Sequence, residues 1–211
     1  MMLNQSLSDL LILVPLFIIS ISMHEAAHAY AAYYFGDNTA KDLGRLTLNP
    51  LAHLDPFGAL LVVFIGFGWA KPVPVNPNNL RNREWQMPVI AAAGPLSNFF
   101  LAAISLFILL LVAKSPSLQF LILPLRSLIN LNLLLMLFNL VPLPPLDGSA
   151  ILRWFLPSPL QLKMDAVGTY GSLILMGLVF LPGVSEVFFS VIYAGMNYVL
   201  QFLMLIFGFL L

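Results

Sequence analysis

The sequence contains no cysteine. That removes disulfides, thiolate metal sites and cysteine nucleophiles together, so any bound metal must be held by nitrogen and oxygen. Charge is nearly as scarce: 9% of the 211 residues are Asp, Glu, Lys or Arg, against 60% that are hydrophobic. Soluble domains carry about 25% charged residues. So few charges cannot cover a water-facing surface, and the solvent must be largely lipid. Net charge is absent too, nine Lys plus Arg balancing nine Asp plus Glu, which argues against a nucleic-acid partner. No Pro/Ser linker, charge block or internal repeat divides the chain, so 1–211 reads as a single integral-membrane domain.

Long apolar runs are what the sequence has instead. A transmembrane helix needs about 20 mostly apolar residues. The stretches 7–35, 88–113, 118–141 and 185–211 meet that, and 166–181 is a shorter fifth that ends at Pro182-Gly183. No basic residue precedes Leu10, and the first run passes straight into polar sequence, so it reads as a retained helix rather than a cleaved signal. The run 57–70 is too short to span and is expected to be re-entrant or interfacial. Prolines at 72, 74 and 77 then exclude a helix and a central strand, leaving an extended edge segment at the membrane surface. The expected fold is an all-α multi-pass membrane protein of about five transmembrane helices. A short surface β/re-entrant region, 57–77, separates the first from the second.

Basic residues near helix ends set the orientation. Lys41, Arg45, Lys71, Arg81, Arg83, Arg153 and Lys163 fall on one side, and Lys114 with a snorkelling Arg126 on the other. Cytoplasmic loops hold the excess. The N-terminus is therefore expected outside, with the long loop after the first helix in the cytoplasm.

Near the inner end of the first helix stands His24-Glu25-Ala26-Ala27-His28. Histidines at i and i+4 share a helical face, so both imidazoles can reach one metal ion, with Glu25 beside them to take a proton from a metal-bound water. The bland alternative is three polar residues tucked into a bundle. Placing them in lipid costs at least a few kcal/mol if Glu25 stays ionised. Such a cost has no return without function.

Catalytic zinc takes about three protein ligands and a water. Asp9 falls at the wrong membrane face; Asp37, Asp42, Asp55 and Glu84 lie in the loop, and Asp165 and Glu186 flank later helices. Asp147 follows the third helix, within Asn139-Leu140-Val141-Pro142-Leu143-Pro144-Pro145-Leu146-Asp147-Gly148, on the same side as His24 and His28. The prolines stop the helix and Gly148 permits a tight turn, so Asp147 can be aimed back into the bundle. Read alone, Pro-Leu-Asp-Gly would be an ordinary surface turn. His53 is the remaining histidine: either an auxiliary ligand or substrate contact, or a loop side chain that hydrogen-bonds locally. Asn98 either approaches the site or ties helices together.

His24-Glu25-Ala26-Ala27-His28 together with Asn139 to Gly148 resembles the paired signature of the site-2 proteases. Gly94-Pro95-Leu96-Ser97-Asn98 is similar to that family's middle G-x-x-x-N motif. Gly44-Arg45-Leu46-Thr47-Leu48-Asn49-Pro50 and Trp69-Ala70-Lys71-Pro72-Val73-Pro74-Val75 resemble its compact prokaryotic branch. The likeness runs from about Ser22 to Ile151. It implies one Zn2+ per chain held by His24, His28 and Asp147, with Glu25 as general base and Asn98 and Asn139 near substrate or oxyanion. It implies a metalloprotease of a prokaryotic plasma membrane, cutting membrane-spanning protein substrates from the cytoplasmic side. The length leaves no room for the PDZ or other regulatory domain of larger members, so regulation is expected from a partner or the substrate. Ala150 stands where members often have a basic residue.

The rival class is a non-enzymatic metal carrier or channel using the same ligands. It needs no base beside two histidines, and it wants a polar path across all helices, which these apolar runs do not offer.

Overall fold

A computed structural model describes residues 7–65 and 68–208. Gly66 and Phe67 of the expected surface segment, and 209–211 of the last apolar run, lie outside the described residues. The first apolar run forms α1 (Leu7–Tyr34), continuous through Pro15. The second forms α5 (Arg83–Val112), which begins five residues before the hydrophobic stretch. Its opening turn is polar, and hydropathy alone does not register it. The third forms a 3-10 turn (Pro116–Leu121) and α6 (Ile122–Asn139), which ends where Pro142, Pro144 and Pro145 forbid continuation.

Beyond that stop come α7 (Asp147–Phe155), α8 (Ser158–Gly168), α9 (Gly171–Phe180) and α10 (Val184–Phe207). Among the described residues four stretches are long and apolar enough to cross a bilayer: Leu10–Tyr34, Arg83–Val112, Pro116–Asn139 and Val184–Phe207. The shorter fifth run differs from a plain helix. α8 and α9 meet at a 65° bend, and together they qualify as one further span. α9 alone has 10 residues, about 15 Å of rise against a hydrocarbon core of about 30 Å. The protein is thus an all-helical, multi-pass membrane protein with four to five membrane-spanning helices.

α5 sits at the centre, packed against α1, α6 and α7, while α10 lies on α6 and α9. Two kinds of core result. One is apolar, with Ala102, Leu106 and Leu110 of α5 against Ile129, Leu133 and Met136 of α6 and Ile192, Met196 and Leu203 of α10. The other is polar: Ser20, Ser22, His24 and His28 of α1 are buried, as are Asn98 of α5 and Asn132 of α6. Polar side chains turned inward within an apolar bundle mark a working site in a membrane protein.

Between α1 and α5 run three short helices, α2 (Thr39–Asp42), α3 (Pro50–His53) and α4 (Pro56–Ile65). The chain on either side of α4 comes together again. Leu54 and Ala70 form an isolated antiparallel bridge, and the Lys71 N–H donates to the His53 carbonyl at 2.9 Å. Among the described residues there is no sheet; the stretch after the bridge is an irregular strap. Arg45 donates to the Lys71 and Pro72 carbonyls. The fully buried Asp37 carboxylate accepts from the Asn76 N–H at 2.7 Å and the Asn79 amide at 2.8 Å.

Candidate metal centre

α1 continues for more than a turn past Ser22, so His24 and His28 project from one face, ring centroids 4.7 Å apart. That face meets α5. The Ile90 carbonyl accepts from His28 Nδ1 at 2.8 Å, and Asn98 Oδ1 lies 2.7 Å from His24 Nδ1. Gly94 stands between these two partners on the same helix. A Cβ there would come within 2.6 Å of His24 Nε2 and would also overlap His28 Nε2. Gly94 and Asn98, at i and i+4, therefore form one surface: the glycine admits the rings and the amide holds one of them.

The third member arrives from α7. Leu146 is the residue before the helix and Asp147 its first residue, and the helix start presses on the preceding loop so closely that a Cβ at Gly148 would overlap the Leu140 carbonyl. Asp147 Oδ2 lies 3.1 Å from His24 Nε2 and 3.3 Å from His28 Nε2, and the two Nε2 atoms are 3.1 Å apart. Burial raises the Asp147 carboxyl, but His24 or His28, when either ring carries a proton on Nε2, donates to the carboxylate and more than offsets it, holding it at about 2. It is an anion at neutral pH. Its Oδ2 is buried with no hydrogen-bond partner.

A carbonyl can only accept, so His28 keeps its proton on Nδ1 and presents a lone pair at Nε2. Two imidazole lone pairs and a carboxylate oxygen then converge without a donor among them. A single proton can bridge two of these atoms, whereas a metal ion satisfies all three. Around tetrahedral zinc with bonds of about 2.0–2.1 Å, ligand atoms stand roughly 3.3 Å apart. The separations of 3.1, 3.1 and 3.3 Å fit that ion. His24, His28 and Asp147 also stand out as a group able to hold a metal on distance alone.

The other sequence candidates separate. Glu25, next to the trio in sequence and half-buried, accepts the Val73 N–H on Oε2 at 2.8 Å, so the strap rests directly on it. Asn98 reaches the site and also bonds Asn132 at 2.8 Å. Asn139 turns away, its amide donating to the Leu135 carbonyl of its own helix at 2.9 Å. His53 is buried and placed 2.8 Å from the Thr47 carbonyl, outside the trio.

Asn132, Ser20 and the Ile90 carbonyl were not among the sequence candidates. An amide inside the run Leu-Ile-Asn-Leu-Asn-Leu-Leu-Leu was a signal for Asn132. A backbone carbonyl leaves no mark in sequence.

Known proteins resemble the chain over all or part of its length. A Bacillus subtilis (strain 168) protein named "Putative zinc metalloprotease YwhC" is 43% identical over 205 residues, 92% of each chain. "Putative zinc metalloprotease Rip2" of Mycolicibacterium smegmatis is 28% identical over 181 residues, 83% of this chain and 69% of that one. "Putative zinc metalloprotease MJ0611" of Methanocaldococcus jannaschii is 45% identical over 65 residues, 31% of this chain. No family model and no solved structure matches. With three donor atoms spaced for zinc and a relative of this similarity along its length, the chain belongs to the zinc metalloprotease family of YwhC, consistent with a compact site-2 protease-like group.

Proposed function

We propose that the protein is an intramembrane metalloprotease of site-2 type, hydrolysing peptide bonds of membrane-anchored proteins near the cytoplasmic face of a cell membrane. The observation that carries this reading is the convergence of His24 Nε2, His28 Nε2 and Asp147 Oδ2 with Glu25 alongside. Zinc held by those three atoms would supply Lewis acidity, lowering the pKa of a bound water and polarising the scissile carbonyl. Glu25 takes the proton of that water and returns it to the leaving amine. The Val73 N–H occupies one lone pair of Oε2 and fixes the carboxylate, leaving Oε1 for the proton.

The strap from Trp69 to Asn76 is the surface a substrate meets first. An unwinding transmembrane segment frees N–H and C=O groups that cost several kcal/mol each in lipid until paired, and an extended strap offers main-chain partners. The Lys71 and Val73 N–H groups are already engaged, by His53 and Glu25. A substrate strand must therefore use the strap's other edge or displace it. This reading assigns no role to His53 or Asn139, each of which is hydrogen-bonded to a nearby backbone carbonyl.

The test is a pair of variants in reconstituted membranes. Glu25→Gln keeps near-stoichiometric zinc by elemental analysis and loses cleavage of a membrane-anchored substrate, while Asp147→Ala loses zinc as fully as His28→Ala. Full cleavage by Glu25→Gln, or zinc retained by Asp147→Ala, would refute the assigned roles.

A further inference from the structure

We infer that Asn132, on α6 and in contact with neither zinc nor substrate, is a positioning residue that dictates which nitrogen of His24 faces the metal. The inference rests on the trio being the metal site. A primary amide can turn its two ends over, so a chain of amides has no direction of its own. Direction has to come from a group that cannot reverse, and a backbone carbonyl is one.

The Leu128 carbonyl, one turn before Asn132, accepts from Asn132 Nδ2 at 2.8 Å. The same Nδ2 donates to Ser20 Oγ at 2.9 Å, and that hydroxyl in turn donates to the Leu16 carbonyl at 2.7 Å. Both contacts pin the NH2 end of Asn132, leaving Oδ1 towards α5. There it accepts from Asn98 Nδ2 at 2.8 Å. Asn98 must then present Oδ1 to His24 Nδ1, 2.7 Å away. An oxygen at that position demands Nδ1–H, and a neutral ring protonated on Nδ1 keeps its lone pair on Nε2.

His28 needs no such relay, because the Ile90 carbonyl sets its tautomer directly. One other contact orients Asn98, a donation to the Ser20 carbonyl at 3.4 Å, too long to fix the amide alone. Asn98, Asn132 and Ser20 are all fully buried, so water does not compete along the relay. Hydrogen-bond partners of metal-bound histidines change metal affinity about 10- to 100-fold when removed.

The experiment compares zinc-loaded wild type, Asn132→Leu and Asn132→Asp in lipid nanodiscs, with 15N-labelled histidine. The wild type should show two slowly exchanging Nδ1–H signals, one from each liganding ring. In Asn132→Leu the Asn98 amide is free to turn. The His24 signal should shift and exchange faster, the His28 signal should stay in place, and zinc affinity in chelator competition should fall ten- to a hundredfold. Asn132→Asp keeps an acceptor facing Asn98 and should retain the His24 signal and most of the affinity. An unchanged His24 signal and unchanged affinity in Asn132→Leu would overturn the inference, leaving Asn132 as helix glue. Both histidine signals moving together would also overturn it, since a ring held by its own carbonyl lies outside the relay. A wild type that binds zinc and cleaves nothing would sink the proposed reaction while leaving this inference standing.

Discussion

A methyl group added at Gly94 would land on both imidazoles at once, on the face where α5 meets α1. The rings cannot retreat, because His28 is held by Ile90 and His24 by Asn98 on that same helix. Gly94→Ala should therefore abolish stoichiometric zinc binding while the protein still folds, at an overpacking cost of about 1–3 kcal/mol. Elemental analysis alongside thermal unfolding in detergent checks this; a variant with full zinc content would mean the helices separate more easily than their packing implies. At this scale the sequence was informative wherever a side chain carries the chemistry. His24 and His28 were legible from their spacing on one helical face and Asp147 from its membrane side and the turn at Gly148, and these three lie together, with Glu25 beside them in sequence. An amide in an apolar helix marked Asn132 as unusual but not the role inferred for it, which depends on the Leu128 carbonyl behind it, and a main-chain group is the same at every position.

Among the elements, the strap from Trp69 to Asn76 was the least legible. Its prolines excluded a helix, yet proline chemistry could not say what would hold it down. Arg45 and Asp37 do so, from a loop 26 to 42 residues earlier. Burial raises the Asp37 carboxyl, but hydrogen bonds from Thr39, Asn79 and Asn76 more than offset it and hold it below the usual carboxylate range. A carboxyl depressed in the folded state contributes its full stability above the unfolded value, near 3.9, and loses it as pH falls through the lower folded value. Asp37→Asn should cost about 2 kcal/mol at neutral pH, from hydrogen bonds to a charged acceptor. The gap between wild type and Asp37→Asn in thermal stability should hold constant down to about pH 4 and close below it. A gap independent of pH would show that the carboxylate charge does not hold the strap.

For the whole molecule, parity of membrane crossings decides whether a metal site can form at all. Asp147 follows α6 and His28 closes the motif on α1, so an even number of crossings must separate them. α5 and α6 supply two, and the pairing of Leu54 with Ala70 returns the chain of α4 to where it left. Because the sequence has no cysteine, single cysteines at the exposed positions Asn78 and Ser158 can be labelled without background. Both should react from one membrane side only, the cytoplasmic one by the excess of Lys and Arg there. Labelling from opposite sides would be incompatible with a shared metal ion. The long helices were legible because lipid demands length and apolarity. The bend between α8 and α9 was not, since its Gly168 and Gly171 pack near Pro144, a contact distant in sequence.

The close fit of Gly94 against the two rings also governs traffic. α5 packs against the rings at Gly94 and Asp147 stands on another side, while Glu25, beside His24 in sequence, is tied to the strap through the Val73 N–H. If the strap covers the metal, the speed at which a small chelator strips zinc becomes a clock for it, reporting how often the contact between Val73 and Glu25 opens even when no peptide is being cut.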